Sequence, residues 1–313
     1  MTSAPLTFPN RKSGAALMAV IWLIAILSLA SISALRVISF DMEITSAKVH
    51  GSRALQLAEM GIAVASNPAV KSSDPLLIYT DEKNAEAYEA KIISEGNRFN
   101  INVILLNDDK PLMRSILIEW GLELDEAQAL TDALCDWVDS DDNISLNGAE
   151  MKEYKKIGRI NQPFNRPFYD LQEMSLVIGM DRVAAVKPDW RSWFTIWSGG
   201  GLDVNEAPAE MIAVAAETQL ERAMLIPEMV AGPDGELYTS DDVPFKSAAE
   251  ALEQIGISAE MRPDVFRRFS ANDSTARLES IGEVMGVKRK IIVTVGNRAS
   301  NPTLIERIEE IIP

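Results

Sequence analysis

Two runs of side-chain oxygen are the parts of this 313-residue sequence whose spacing can do chemistry. In LCDWVDSDDNISLNGAE, residues 134–150, Asp139, Asp141, Asn143, Asn147 and Glu150 fall at positions 1, 3, 5, 9 and 12 counted from Asp139. That is the oxygen-ligand spacing of an EF-hand loop, but position 6 is Ile144 instead of the glycine the turn needs, which argues against a true EF-hand. In GPDGELYTSDDVPF, residues 232–245, Pro233-Asp234-Gly235 makes a turn and the adjacent carboxylates Asp241 and Asp242 follow. Clustered carboxylates repel one another at neutral pH unless a cation neutralises them, and hard oxygen donors suit Ca2+. The candidate Ca2+ ligands are Asp234, Leu237, Asp241 and Asp242 in one loop and Asp139, Asp141, Asn143 and Glu150 in the other, serving one site or neighbouring ones. The rival reading makes these solvated acidic loops in which Asp139 or Asp242 caps a helix.

Other chemistries find few residues to work with. The chain has 46 Asp+Glu against 30 Lys+Arg, a formal net charge of −16, with one Cys and one His. An excess of carboxylate repels phosphate backbones, so nucleic acid is not an expected partner. One cysteine excludes an internal disulfide, a four-cysteine zinc site and a CxxC pair. Any Ser-His-Asp triad would have to use His50, which has no evident partner, and no nucleotide loop stands out; the expectation is a protein that is not an enzyme. Cys135 reads as a small buried hydrophobe. Trp190, Trp193 and Trp197 read either as a partner-binding patch or as core. VNEAPAEMI, from Val204, looks like a helix-hairpin-helix turn, but Glu206 and Glu210 stand where backbone amides would meet phosphate, so the turn is structural.

The elements that position these loops begin with a membrane segment. Residues 1–14 are polar and end in Arg11-Lys12-Ser13-Gly14; an apolar run then extends from Ala15 to Leu35. At about 1.5 Å per residue it spans about 30 Å, the hydrocarbon thickness of a bilayer. Arg11 and Lys12 before the run put the N-terminus in the cytoplasm by the positive-inside rule, although Arg36, Lys48 and Arg53 follow it. No Pro interrupts Ala15–Ala65, and Ala54, Leu57, Ala58, Gly61, Ile62 and Ala65 recur as one helical stripe. Asn67-Pro68 ends that helix. Beyond it, Arg98–Leu106 alternates and reads as a strand. Ser115–Val138 reads as helical, with a separate helix from Leu124 to Trp137. Asp170–Gly179 reads as a further helix, and Lys290–Gly296 as a final strand. INVILLN and LDVNEAP, each a strand, an Asn and a helical start, suggest a duplicated helical unit.

The leader ending in Gly14, the apolar segment that follows at once and the continuous helix resemble the type IV pilins and pseudopilins. The resemblance implies cleavage by a prepilin peptidase between Gly14 and Ala15 and methylation of the new N-terminus. Most members carry Glu at the fifth mature position; here it is Ala19. A carboxylate in lipid is costly without its partner, so its absence suggests a subunit with no neighbour beyond it, and the K-type minor pseudopilins of type II secretion characteristically lack it. LCDWVDSDD with NGAE (134–150), FYDLQEMSLVIGM (168–180) and LDVNEAPAEMI (202–212) resemble that K type as well. The GxDGxxxTxDD pattern of 232–242 resembles calcium loops of secreted bacterial proteins, other pseudopilins among them.

The resemblance implies an α+β pseudopilin fold: a long N-terminal transmembrane helix, a small antiparallel sheet and a large inserted α-helical domain. The expected division is a leader (1–14), the helix (15–66), a core from 67–106 and 281–313, and an insert (107–280) of two units resembling SAM or helix-hairpin-helix domains. The implied role is a pseudopilus-tip subunit that initiates assembly for export of folded proteins. It would sit single-pass in the inner membrane of a Gram-negative bacterium with its C-terminal domain in the periplasm. Implied partners are the I- and J-type minor pseudopilins, the pseudopilus shaft, the prepilin peptidase, the inner-membrane assembly platform and secreted cargo. The alternatives are a minor pilin of a type IV pilus and a membrane-anchored Ca2+-dependent enzyme.

Overall fold

The computed structural model describes residues 13–312; Arg11 and Lys12 lie outside them. Helix α1, Ser13–Ala65, runs 53 residues, about 80 Å at 1.5 Å per residue. Its apolar first half touches nothing: Leu17, Trp22, Ile26 and Leu35 are all exposed, as expected of a surface made for lipid or for other helices. From Gly51 onward one face is buried, with Ala54, Leu57, Ala58, Ile62 and Ala65 inside. This is the stripe read from the sequence.

That stripe lies on a five-stranded antiparallel sheet ordered β1-β2-β7-β8-β9. The hairpin β1 (Ile78–Asp81) and β2 (Glu86–Ser94) comes first. Four two-residue strands follow, β3 (Phe99–Asn100), β4 (Phe194–Thr195), β5 (Leu202–Asp203) and β6 (Phe269–Ser270). The sheet resumes with β7 (Ala276–Val284), β8 (Val287–Gly296) and β9 (Thr303–Ile312). Burial along β7 alternates strictly, Ala276, Leu278, Ser280, Gly282 and Val284 facing inward. The period of two puts one face of the strand against α1. Arg298 closes the far end of α1, its Nε donating at 2.9 Å to Ala65 O, a carbonyl the helix leaves unpaired, and its Nη2 at 2.5 Å to Val70 O in the segment that follows.

Between Ser94 and Ala276, which pair directly, the chain leaves the sheet and builds a helical body with its own hydrophobic core. Helices α2 (Ile101–Leu106), α3 (Lys110–Glu119), α4 (Leu124–Val138), α5 (Met151–Lys156) and α6 (Met180–Val186) precede β4. β4 pairs in parallel with β3. Helices α7 (Ala209–Ala216), α8 (Leu220–Ala223), α9 (Leu225–Val230), α10 (Ala248–Gln254) and α11 (Pro263–Phe266) lie between β5 and β6, which pair in the same way. Each half of the body thus opens on a two-residue strand and closes on its parallel partner. Trp137 is fully buried among the rings of Tyr154, Phe164 and Phe168. The body stands at the end of α1 away from the apolar half: Arg53 bonds Glu86 at the start of β2, whereas Ser94 ends that strand past the level of Gly61, which meets Tyr88.

Three sequence expectations change. Arg98–Leu106 is not a strand: after Phe99–Asn100 the Asn100 side chain accepts from Val103 N at 3.3 Å and starts α2, so a local cap outweighs β-branched propensity. Asp170–Gly179 is a 3-10 turn over Leu171–Leu176, because Asp170 caps it and Gly179 adopts φ +97 before α6. The crossings lie at 94/95 and 275/276, whereas 106/107 and 280/281 were expected. Phe99, Ile101, Ile104 and Leu105 join the helical core, while 276–280 pair with 90–94 in the sheet.

Gly282 is where α1 comes closest to the sheet: a Cβ there would overlap the carbonyl oxygen of Ala54 and stand 2.6 Å from Ala58 N. Backbone cannot yield as a side-chain tip can, so Gly282→Val should destabilise the protein by at least the ~1–3 kcal/mol of ordinary overpacking. Denaturant unfolding of the purified protein checks this; an unchanged midpoint would mean that α1 is not seated as described.

Candidate functional site

The first acidic loop is shaped by α4. Asp132, Asp136 and Asp139 recur at helical spacing, so the end of this helix presents a carboxylate face. The loop folds back over that face: Ser145 N donates to both Asp136 oxygens, at 3.2 and 3.1 Å, and Asn147 N to Asp132 Oδ2 at 3.2 Å. Gly148 passes so close to the Asp136 carboxylate that a side chain there would collide with it. Asp136 itself is fully buried. The sequence reading missed it, although its place between Asp132 and Asp139 on α4 was the available signal.

Glu150 begins α5 and is only 5% exposed. Glu153 Oε2 accepts from Glu150 N at 3.3 Å, the returning half of a capping box. The Glu150 carboxylate faces the first-turn amides, yet neither oxygen completes a hydrogen bond and both are buried. Asp139 Oδ1 is likewise buried and unpartnered. Burial, then the charges of Asp136, Asp139 and Asp142, push the Glu150 carboxyl up to about 7. Burial and the neighbouring Asp141 and Asp136 raise Asp139 as well.

The structure therefore groups Asp139 and Glu150 with Asp136. It uses Asp141 differently: its Oδ1 accepts from Asn143 N at 2.7 Å, closing the loop tip, while Asn165 Nδ2 ties that tip down through Asp141 O and Asp142 Oδ1. Asn143 is exposed, and among the described residues no hydrogen bond reaches its side chain.

The second loop carries Asp241 and Asp242 toward one point. Thr239 Oγ1 lies 2.7 Å from Asp241 Oδ1 and 3.3 Å from Asp242 Oδ1. Asp241 Oδ2 accepts from Asp234 N at 3.2 Å and Asp242 Oδ2 from Tyr238 N at 2.7 Å. The Asp234 side chain closes its own turn, accepting from Glu236 N at 2.8 Å. The Thr239 hydroxyl is the leading cause holding the Asp241 carboxyl below its ordinary value. Leu237 contributes an apolar side chain packed on the helical core.

Neither Asp139 nor Asp242 is a helix N-cap, the role the rival reading gave them; in the first loop Glu150 takes that position. Asp139 follows α4 as its C-cap, and the helix after the second loop is capped by Ser247, whose Oγ accepts from Glu250 N. Among the described residues no group of three or more His, Cys, Asp or Glu side chains gathers at metal-binding spacing. The donor sets nevertheless suit a hard cation: carboxylate and hydroxyl oxygens in one loop, and in the other a buried carboxylate with two unused acceptors.

The other singled-out residues have plain surroundings. Gly14 and Ala15 lie in the first turns of α1 and Ala19 is exposed on it. Cys135 is buried, and burial pushes its thiol up to about 12. Trp190 and Trp193 are core, Trp193 meeting Trp120 edge-on at 5.4 Å. Glu206 of the VNEAP turn points inward and accepts from Ser94 N at 2.5 Å, a structural use of that turn.

Comparison with known proteins adds to this geometry. Residues 97–188, which cover α2 to α6, match the family model described as Type II secretion system (T2SS), protein K. A 70-residue stretch, 22% of this chain, is 36% identical to the type II secretion system protein K of Dickeya chrysanthemi. It spans 19% of that relative's length. The fold is similar to that of a chain in the GspK-GspI-GspJ complex of the enterotoxigenic Escherichia coli type 2 secretion system. The TM-score is 0.57 at 12% identity, over 87% of this chain and 98% of that one. Helical body, long apolar helix and antiparallel sheet thus form a fold like that of the chain in that complex, and residues 97–188 within it match the protein K model.

Proposed function

We propose that the chain is a structural subunit, not an enzyme, and that it occupies the tip of a type II secretion pseudopilus, where it initiates assembly with I- and J-type minor pseudopilins for the export of folded proteins. The observation that carries this reading is the mounting of the helical body. It leaves the sheet at the end of α1 opposite the apolar half, between paired residues Ser94 and Ala276, where a further subunit would otherwise stack. Ala19 supports the same position, since no carboxylate there awaits a neighbour's N-terminus. The E. coli protein of similar fold was solved in a GspK-GspI-GspJ complex, which makes I- and J-type subunits the first partners to test. The shaft, the assembly platform and cargo complete the proposed set.

On this reading the pseudopilin sheet and α1 are interrupted by an insert of two helical units between the crossings at 94/95 and 275/276. The apolar half of α1 holds the precursor in the inner membrane with its leader in the cytoplasm and the remainder in the periplasm. A prepilin peptidase cuts between Gly14 and Ala15, and Ala15 is then methylated. Gly14→Ala should leave the precursor uncut, and intact-mass measurement should find the mature wild-type chain beginning at Ala15. Normal maturation of the variant would remove this reading. Mixing with I- and J-type subunits should give a discrete complex by size-exclusion chromatography with light scattering; persistent monomers would argue against the tip.

Ca2+ belongs to the same proposal, with Asp139 and Glu150 holding it in one loop and Asp241 and Asp242 with Thr239 in the other. A bound cation would neutralise carboxylates that otherwise repel and would pair the unused Glu150 oxygens. Calcium at ~100 times its dissociation constant should stabilise the protein by about 2.7 kcal/mol per site. Glu150→Gln separates the cation from a merely buried acid. Without calcium the variant should be no less stable than wild type, because an unpaired buried charge is gone. With calcium it should be the less stable of the two. Thermal unfolding in EGTA and in calcium measures both; the same order in both buffers would exclude a cation at Glu150.

A further inference from the structure

Several of the hydrogen bonds at the junction of helical body and sheet converge on one buried spot. Where the chain leaves the sheet, Ser94 Oγ donates to Asp203 Oδ2 at 3.0 Å and Ser94 N to Glu206 Oε2 at 2.5 Å. Where it returns, Asp273 N donates to Asp203 Oδ2 at 3.3 Å, and Glu95 N to Thr275 O at 2.9 Å. Both crossings therefore rest on the 203–206 turn. Its two carboxylates lie close together in the interior, and burial together with Asp203 pushes the Glu206 carboxyl up to about 7 despite the Ser94 amide.

The second donor to Glu206 comes from the acidic loop. Tyr238 OH reaches Glu206 Oε2 at 3.2 Å. Burial and Glu206 itself raise the Tyr238 hydroxyl, so it stays protonated and donates. Tyr238 adopts φ +72, a left-handed backbone that costs a non-glycine residue free energy. It is held there by Asp242, whose Oδ2 accepts from Tyr238 N at 2.7 Å. The far end of the loop is fastened to the same turn, Asn205 and Phe245 exchanging bonds of 2.7 and 3.1 Å. A cavity of about 280 Å³ separates the loop from the segment after α1, with Lys71, Ser73, Glu206, Tyr238 and Asp242 in its lining.

We propose that the acidic loop 232–245 is a latch on the junction between sheet and helical body, with Tyr238 as its bolt, so that order in the loop fixes how rigidly the body stands on α1. The connection runs unbroken from Asp242 through Tyr238 and Glu206 to Ser94. Without the Tyr238 hydroxyl, Glu206 keeps one donor beside Asp203, and the crossing at Ser94 loosens. A cation at Asp241 and Asp242 would tighten the latch from the loop side; that extension alone rests on the calcium reading above.

Hydrogen exchange read by mass spectrometry on the full chain in detergent micelles tests it, comparing wild type with Tyr238→Phe in EGTA and in calcium chloride. Phenylalanine keeps the ring, so the fold should survive, and the α4 amides serve as the internal standard. In EGTA the variant's amides at 92–98 and 272–276 should exchange about 10-fold faster than wild type, a local opening that leaves α4 protection unchanged. Equal rates at 92–98 would overturn the latch. Calcium that slows exchange at 92–98 in wild type but not in the variant supports the full connection. Calcium that slows it equally in both overturns the latch and leaves the calcium reading standing. If calcium alters no amide at 232–245, no cation binds this loop and the EGTA comparison alone decides the latch.

Discussion

Everything in this molecule hangs on the close seating of α1 against β7. A helix with a wholly exposed apolar half contributes nothing to its own folding in water, so the half beyond Gly51 must hold the sheet unaided. It does so through small residues: Ala54 and Ala58 lie against Gly282 and Gly61 against Ser280, and at Gly282 no side chain fits. Small residues let backbones approach and multiply dispersion contacts, each weak and together large. The flanking ion pairs, Arg53–Glu86 and Arg307–Glu59, are exposed and pairs of that kind add little. Packing at this contact fixes the direction of α1, and hence the direction in which the helical body points.

The sheet tolerates a long excursion because of where it is interrupted. Ser94 and Ala276 are already neighbours in the β2–β7 ladder, so the body closes a loop whose ends the sheet has brought together. Loop-closure entropy grows only slowly with length, and the body offsets its own ordering with a separate core. Two cores joined at two covalent crossings make the bonds around Asp203 and Glu206 decisive for orientation.

How much of this was legible follows from the range of the forces involved. The α1 stripe, its end at Asn67-Pro68, helix α4 and the last part of β8 depend on local periodicity and were readable. Strands β2 and β7 were not, since they pair with each other across an excursion of 181 residues, 95–275, and nothing local marks that pairing; β9, an exposed edge strand paired with β8, has no alternation of burial to read. Arg98–Leu106 misled because its β-branched residues lie behind Asn100, whose side chain starts a helix. In the acidic loops the residue types were readable but their roles were not. Asp139 and Glu150 each bury carboxylate oxygen near Asp136, which enters from the preceding helix, whereas Asp141 turns to the backbone of the loop tip. Tertiary folding of the loop onto α4, which no count along the sequence contains, made that difference.

The net charge of −16 takes on a local meaning. Part of the excess is spent against interior positions: Asp136 and Glu150 under the first loop, Asp203 and Glu206 at the junction. Burying a carboxylate without full pairing costs stability, and a fold that needed only a core would have placed apolar residues there. Asp136 and Asp203 are compensated by backbone amides, and Glu206 by an amide and a tyrosine. Glu150 has no hydrogen-bond partner at either oxygen. The least compensated of these acids thus faces three others, Asp136, Asp139 and Asp142, and is favoured only weakly by the Met151 amide. A proton or a cation would relieve such an arrangement, and among the described residues no lysine or arginine side chain bonds to Glu150. The physical argument for a cation in this protein therefore rests on Glu150 more firmly than on the loop spacing that first drew attention to it.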